Sequence, residues 1–273
     1  MNQTGHCTKM RGEPAMNTTR RRLLVTALAA ALAHSAPSLG AGSSSIPRVK
    51  RSVVALGTFQ KTRSPAFAFR GTGFVVGDGT LVATNAHVLP GVLDAQKQEV
   101  LAVALPGADG GPATVRAGRT VAIDTAHDLA LVKFEGTQLS ALELGDSSSV
   151  HDGAELLFTG YPIGTVLGLF PATHRAMVSA ISPIAIPGAN AQQLDAKAIK
   201  RLSGKRYPIM QLDATAYPGN SGSPLYDPVT AKVVGILNMV LVKESRENVL
   251  SQPSGITYAI PVQPLVELLA TVK

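Results

Sequence analysis

Apolar residues along this chain occur in short runs of strand length, separated by glycine, proline or aspartate. In the first half of the chain the runs include SVVALGTF (52–59), GTGFVVGDGTLVATNAHVL (71–89), EVLAVAL (99–105) and DLALVKF (128–134). Short runs rich in β-branched residues and bounded by turn residues are typical of strands. The pattern therefore predicts about six strands in a first β unit over residues 49–140.

A polar stretch at 142–153 interrupts this pattern, which then resumes. The later runs are AELLFTGYP, RAMVSAISPIAI, YPIMQLDA, KVVGILNMVLV and GITYAIPV. They predict a second, similar β unit over residues 141–273, so the fold class is all-β. From residue 49 onward only the end favours a helix, near 264–272, where Pro264 can open it. Its apolar face would consist of Leu265, Val266, Leu268, Leu269 and Val272.

The N-terminal 35 residues have the pattern of an export signal peptide. Three arginines, Arg20 to Arg22, precede an apolar run from Leu23 to Ala33, and small residues follow. The run is too short to span a bilayer comfortably, although a short anchor or a buried helix is an alternative. We expect a bacterial-type protein exported to the periplasm or the medium, by either the general or the twin-arginine route. The true start could be Met16, and residues 36–48 would form a flexible linker.

The charge balance changes once this leader is set aside. Residues 1–35 contain five basic side chains and one acidic one, so the formal net charge falls from +7 to +3. A net charge of this size gives no reason to expect a nucleic-acid partner. Cys7, the one cysteine, lies in the leader, so the mature chain can form no disulfide and has no thiolate for catalysis or for binding a metal. We also expect no metal and no cofactor. The basic segment 191–208 predicts a solvated loop, with an anionic ligand as the alternative.

Ser221, in the sequence GNSGSP, is the first candidate for chemistry. Glycine, asparagine, proline and serine are also ordinary turn residues, so the serine alone decides nothing. A serine nucleophile needs a base, an acid that orients the base, and N–H groups that hold the oxyanion. His87 follows an apolar run and Asp128 opens another, so both could lie at strand ends. The other histidines beyond the leader are His127, which adjoins Asp128, and His151 and His174, which we expect at the surface.

The motifs together resemble those of chymotrypsin-fold serine peptidases, in particular the HtrA/Deg-like bacterial proteases. The resemblance covers nearly all of residues 52–272. It is carried by GTGFVV (71–76), TNAHV (84–88), HDLALV (127–132), GYPIG (160–164), GNSGSP (219–224) and GITYAIP (255–261). It implies two six-stranded antiparallel β-barrels, with the active site between them and a short C-terminal helix. Many such proteases also carry a PDZ domain, and we expect none here, because the sequence stops at Lys273.

Carried over residue by residue, the resemblance makes His87 the general base, Asp128 its orienting partner and Ser221 the nucleophile. The backbone N–H groups of Gly219 and Ser221 would form the oxyanion hole, with Asn220 shaping the turn. The substrate pocket would be lined by Thr215, Leu237, Asn238 and Met239. Because position 215 carries no acid, we expect small or aliphatic residues before the scissile bond. One departure is Ser223, where family members commonly have glycine.

The sequence thus predicts an exported serine endopeptidase that cleaves protein or peptide substrates through an acyl-enzyme on Ser221. The oligomeric state is left open. The alternative is a catalytically silent binding or chaperone-like protein on the same fold. An esterase of the α/β-hydrolase type is disfavoured, because Ser223 breaks the Gly-x-Ser-x-Gly motif and strands do not alternate with helices.

Overall fold

Two closed six-stranded antiparallel barrels form the body of the protein. The computed structural model describes residues 41–105, 107, 113–164, 168–183, 207–238 and 255–272. The predicted all-β, two-barrel fold is confirmed. The predicted signal peptide, and the basic segment up to residue 206, lie outside the described residues.

The first barrel is closed in the strand order β1-β2-β3-β6-β5-β4. Its strands are β1 Val53–Phe59, β2 Phe67–Val76, β3 Leu81–Asn85, β4 Val100–Leu105, β5 Thr114–Asp124 and β6 Leu129–Phe134. Closure leaves no free sheet edge, since β1 pairs with both β2 and β4.

The second barrel repeats this arrangement in the strand order β10-β11-β12-β9-β8-β7. Its strands are β7 Glu155–Gly160, β8 Ala172–Pro183, β9 Pro208–Asp213, β10 Pro224–Tyr226, β11 Val233–Leu237 and β12 Ile256–Pro261. The short β10 begins at Pro224, close after Ser221 in the chain, so the second barrel carries the candidate nucleophile.

Several strands read as continuous apolar runs because both of their faces are buried. On β1, Val54 and Leu56 pack inside the first barrel, whereas Val53 and Ala55 join a core shared with the second barrel. This alternation follows from the two-residue period of a strand. Tyr161 and Tyr226 of the second barrel belong to the same shared core. The two barrels therefore pack against each other through buried apolar side chains.

Two α-helices border this shared core. Helix α2, Gln263–Ala270, lies where the apolar face predicted a helix, and it buries Leu265 and Leu268. Helix α1, Ala41–Lys50, was not expected, because its segment overlaps the linker predicted over 36–48. Val49 is fully buried and Ile46 packs beside it. The serines and Pro47 of this segment do not predict a helix, so tertiary packing must stabilise it. Within the described ranges no helix is long and apolar enough to cross a membrane.

His174 does not lie at the surface, where the sequence analysis expects it. It lies on β8, is partly buried, and stacks on Phe158 with ring centroids 4.8 Å apart. Its Nε2 atom is buried and has no hydrogen-bond partner in the described part of the chain. Burial lowers the pKa of this imidazole, because the charged form loses solvation. His174 is therefore a neutral packing residue of the second barrel.

We predict that His174 makes the protein less stable in mild acid. Its folded pKa lies below the unfolded value, so its contribution is complete above the unfolded pKa and is lost as the pH falls towards the folded pKa. His174→Phe keeps the stacking and removes the titration. Urea unfolding at pH 7.5 and pH 5 should show a smaller acid loss for this variant than for wild type. His151→Phe, at an exposed position, is the control, and an unchanged acid loss in His174→Phe would contradict the prediction.

Candidate active site

His87 and Asp128 are held together at the ends of two neighbouring strands. His87 lies in a 3₁₀ turn, Ala86–Val88, directly after β3, and Asp128 directly precedes β6, which pairs with β3. The His87 Nδ1 atom lies 2.6 Å from Asp128 Oδ2, and the His87 backbone N–H donates to Asp128 Oδ1 at 2.9 Å. Asp128 has a left-handed backbone, φ 55°, which aspartate tolerates better than most residues. The pairing of the strands thus sets the distance between imidazole and carboxylate.

Asn238 adds a contact from the second barrel. Its amide Nδ2 donates to Asp128 Oδ2 at 2.8 Å, and the residue is almost fully buried. The Asp128 carboxylate therefore interacts with His87 of one barrel and Asn238 of the other. The sequence suggested Asn238 for the substrate pocket and did not suggest this bond.

Ser221 lies in a turn over residues 217–223, here called the Ser221 turn, which joins β9 to β10. Four successive peptide units of this turn, from residue 218 to residue 222, have their carbonyl oxygens held by hydrogen bonds. The bonds are Ile163 N to Pro218 O (2.8 Å), Thr72 Oγ1 to Gly219 O (2.7 Å), Ser223 N to Asn220 O (3.0 Å) and Thr72 N to Ser221 O (2.9 Å).

The amides of Gly219 and Ser221 are left without a partner by this arrangement. The N–H groups of Asn220 and Gly222 donate to Tyr217 O and Leu237 O, both at 3.0 Å. In the described residues the N–H groups of Gly219 and Ser221 donate to no other group. Because a trans peptide is planar, fixing the preceding carbonyl also fixes the direction of each N–H. Two oriented backbone donors therefore remain available beside Ser221.

Close backbone contacts explain two of the glycines in this region. Gly219 has φ 107°, and a Cβ there would lie 2.3 Å from Tyr161 O. A Cβ on Gly71 would lie 2.7 Å from the Val88 side chain and 3.1 Å from Ser221 O. Val88 belongs to the 3₁₀ turn that contains His87, so this turn and the Ser221 turn both lie close to Gly71. The Ser221 hydroxyl itself forms no hydrogen bond with the described residues.

The four residues of the predicted substrate pocket lie in different surroundings. Leu237 is fully buried in the interior of the second barrel, so its side chain packs in the core instead of lining a pocket. Thr215 is half-buried in the segment after β9. Met239 lies outside the described residues. The Leu237 side chain thus packs in the barrel core and the Asn238 side chain bonds Asp128, and the substrate pocket stays a prediction.

His127 has a carboxylate partner of its own. Its Nδ1 atom lies 2.5 Å from Asp124 Oδ2, and its ring contacts Tyr207 with centroids 4.5 Å apart. Burial opposes ionisation of Asp124, but hydrogen bonds from His127 outweigh it and the pKa of this carboxyl is lowered. His127 therefore does not compete with His87 for Asp128. Within the described ranges no three His, Cys, Asp or Glu side chains converge as a metal site would require.

A family profile described as a trypsin-like peptidase domain matches residues 71–236, which include the His87, Asp128 and Ser221 segments. This chain belongs to the trypsin-like peptidase family. The resemblance to HtrA/Deg-like proteases is also confirmed by similarity to individual proteins.

Three relatives illustrate that similarity. A putative serine protease HhoB from Synechocystis is 28% identical over 71% of this chain and 38% of its own length. A probable periplasmic serine endoprotease, DegP-like, from Marinomonas is 26% identical over 74% of this chain and 35% of its own. The mitochondrial serine protease HTRA2 of Drosophila grimshawi is 27% identical over 72% and 38%, respectively. The chain thus spans less than half the length of these relatives.

One solved structure has the same fold. The HtrA-type protease AlgW, solved with a decapeptide, superposes with a TM-score of 0.59 at 23% identity, covering 84% of this chain and 66% of AlgW. This similarity supports the two-barrel trypsin-like fold described above.

Ser223, the last residue of the Ser221 turn, is in close contact with Gly160. Ser223 is fully buried, and its hydroxyl has no partner in the described residues. A Cβ on Gly160 would lie 2.0 Å from Ser223 Oγ, 2.8 Å from Asn220 Oδ1 and 3.0 Å from Thr72 Oγ1. The Ser223 side chain of this trypsin-like chain therefore occupies the space over Gly160.

We predict that Gly160→Ala lowers the free energy of unfolding by about 1–3 kcal/mol, because the new methyl group overpacks this contact. The double variant Gly160→Ala/Ser223→Gly should recover part of the loss, since the closest clashing atom is removed. Urea unfolding of both variants and of Ser223→Gly alone measures the coupling. Additive effects in the double variant would contradict the predicted contact.

Proposed function

We propose that this protein is a serine endopeptidase that hydrolyses peptide bonds through an acyl-enzyme on Ser221. The observation that carries the proposal is the His87–Asp128 pair at 2.6 Å beside a serine turn with two unpartnered, oriented N–H groups. Membership of the trypsin-like peptidase family supports the same chemistry.

In the proposed reaction, Ser221 Oγ attacks the substrate carbonyl carbon and its proton passes to Nε2 of His87. The N–H groups of Gly219 and Ser221 donate to the oxyanion of the tetrahedral intermediate. The C–N bond then breaks, and the departing amine takes the proton from His87. Water attacks the acyl-enzyme by the same route, releasing the acid and regenerating the Ser221 hydroxyl.

Asp128 and Asn238 would act on the imidazole and not on the substrate. Because Asp128 Oδ2 accepts from His87 Nδ1, the hydrogen bond keeps Nε2 free to accept the serine proton. The Asn238 amide, bonded to the same oxygen, holds the carboxylate in that orientation. This role uses a side chain that the sequence had suggested for substrate binding.

We further propose that the enzyme is exported and prefers small or aliphatic residues before the scissile bond. The basic and apolar leader over 1–35 supports export, as does the similarity to proteins named periplasmic endoproteases. The absence of an acid at Thr215, in a half-buried position before the Ser221 turn, supports the preference.

We predict that Ser221→Ala and His87→Ala each lower turnover of unfolded casein by about 10⁶-fold, because the nucleophile or its base is lost. A fluorophosphonate should label the wild-type protein at Ser221, and mass spectrometry of the labelled peptide identifies the site. His151→Ala, which changes an exposed imidazole, should keep most activity. Wild-type turnover in Ser221→Ala, or labelling at another residue, would refute the proposed function.

We predict that matched peptides with Val or Ala before the scissile bond are cleaved at least tenfold faster, in kcat/KM, than those with Lys or Arg. The physical reason is that a buried ammonium or guanidinium without a carboxylate partner is costly. Thr215→Asp should reduce the difference by supplying that partner. Equal cleavage of both peptide classes by the wild-type enzyme would contradict the assigned preference.

A further inference from the structure

Thr72 contacts the Ser221 turn through both its hydroxyl and its backbone, although the proposed mechanism gives it no catalytic role. It lies on β2 of the first barrel, between two glycines, and is fully buried. Its hydroxyl donates to Gly219 O at 2.7 Å and accepts from the Tyr161 backbone N–H at 3.0 Å. Its own backbone N–H donates to Ser221 O at 2.9 Å. Thr72 therefore holds the carbonyl groups of Gly219 and Ser221, the two residues whose N–H groups have no partner in the described part of the chain.

The hydrogen bond from the Thr72 hydroxyl differs from the other hydrogen bonds of the turn because a side chain forms it. Within the described residues, no other side chain donates a hydrogen bond to the backbone of the Ser221 turn. The remaining bonds join backbone to backbone and survive most substitutions. One hydroxyl thus offers a specific way to loosen this turn.

The same hydroxyl also acts on the segment that faces the turn. By accepting from Tyr161 N, it fixes the chain two residues before Ile163, whose N–H holds Pro218 O. Pro218 O shares a peptide plane with the Gly219 N–H, so Ile163 determines where that donor points. Ile163 adopts φ 59°, an unfavourable conformation for a β-branched residue, so surrounding contacts must hold it there.

We propose that the Thr72 hydroxyl is a positioning group for the oxyanion hole, acting through Gly219 and through the Tyr161–Ile163 segment. This inference rests on the proposed function. Thr72 touches no reacting atom. Gly219 has wide conformational freedom, so without the hydroxyl the Gly219–Asn220 peptide can rotate, and the Tyr161–Ile163 segment that holds Pro218 O loses a hydrogen bond. The Gly219 N–H, which shares a peptide plane with Pro218 O, then no longer stays aligned with the oxyanion. Loss of this alignment raises the free energy of the transition state more than that of the bound substrate, because the oxyanion forms only after attack.

Thr72→Val tests this, since valine keeps the shape of threonine and removes the hydroxyl. We expect kcat on a casein-derived peptide to fall by about tenfold or more, with KM changed by less than about twofold. Affinity for a peptide boronate, which forms a tetrahedral adduct, should fall by a similar factor. Thr72→Ser should restore kcat to within about threefold of wild type. The matched control is Thr58→Val, which removes a buried hydroxyl bonded to Glu99, away from the turn.

Three outcomes would overturn the inference: wild-type kcat in Thr72→Val, an equal loss in Thr58→Val, or no rescue by serine. If the wild-type protein is neither labelled at Ser221 nor active, the proposed function fails separately. A crystal structure of Thr72→Val then decides the positioning role by itself. A rotated Gly219 carbonyl would support it, and an unchanged Ser221 turn would refute it.

Discussion

The hydrogen-bonded contact between β2 and the Ser221 turn is the constraint on which the candidate site depends. Thr72 of the first barrel holds the carbonyl oxygens of Gly219 and Ser221 of the second. This approach is possible because Gly222 has no side chain; a Cβ there would lie 2.1 Å from Thr72 O. The two barrels thus meet backbone to backbone at Ser221, and the packing of their shared core sets the geometry of the site.

The site also contains locally unfavourable features. Asp128 and Ile163 have left-handed backbones, and the buried side-chain amide of Asn220 has no partner in the described residues. Each of these costs free energy that surrounding packing and hydrogen bonds must offset. Such concentrations occur where a protein holds groups in place for chemistry and not for stability. Their position around Ser221 agrees with the proposed peptidase function.

Much of the fold followed from local patterns. Apolar runs of five to ten residues between turn residues predict strands, and a strand buried on both faces reads as a continuous run. Helix α1 escaped this reasoning because Ser45 and Pro47 disfavour a helix, and its stability comes from Val49 packing in the shared core. His174 was placed at the surface because its neighbours are polar, although Phe158 on the next strand covers its ring.

By itself, the sequence determined the strand content, the order of His87, Asp128 and Ser221, and the glycine-bounded turn around the serine. These depend on residues close together in the chain, where propensity, period and motif can be read directly. Only the tertiary structure decided that Asn238 bonds Asp128, that Leu237 lies in the core, and that Thr72 reaches Gly219. The Asn238 and Thr72 contacts join residues 110 and 147 positions apart, and their directions depend on how one closed barrel packs against another. The burial of Leu237 depends on how the second barrel closes.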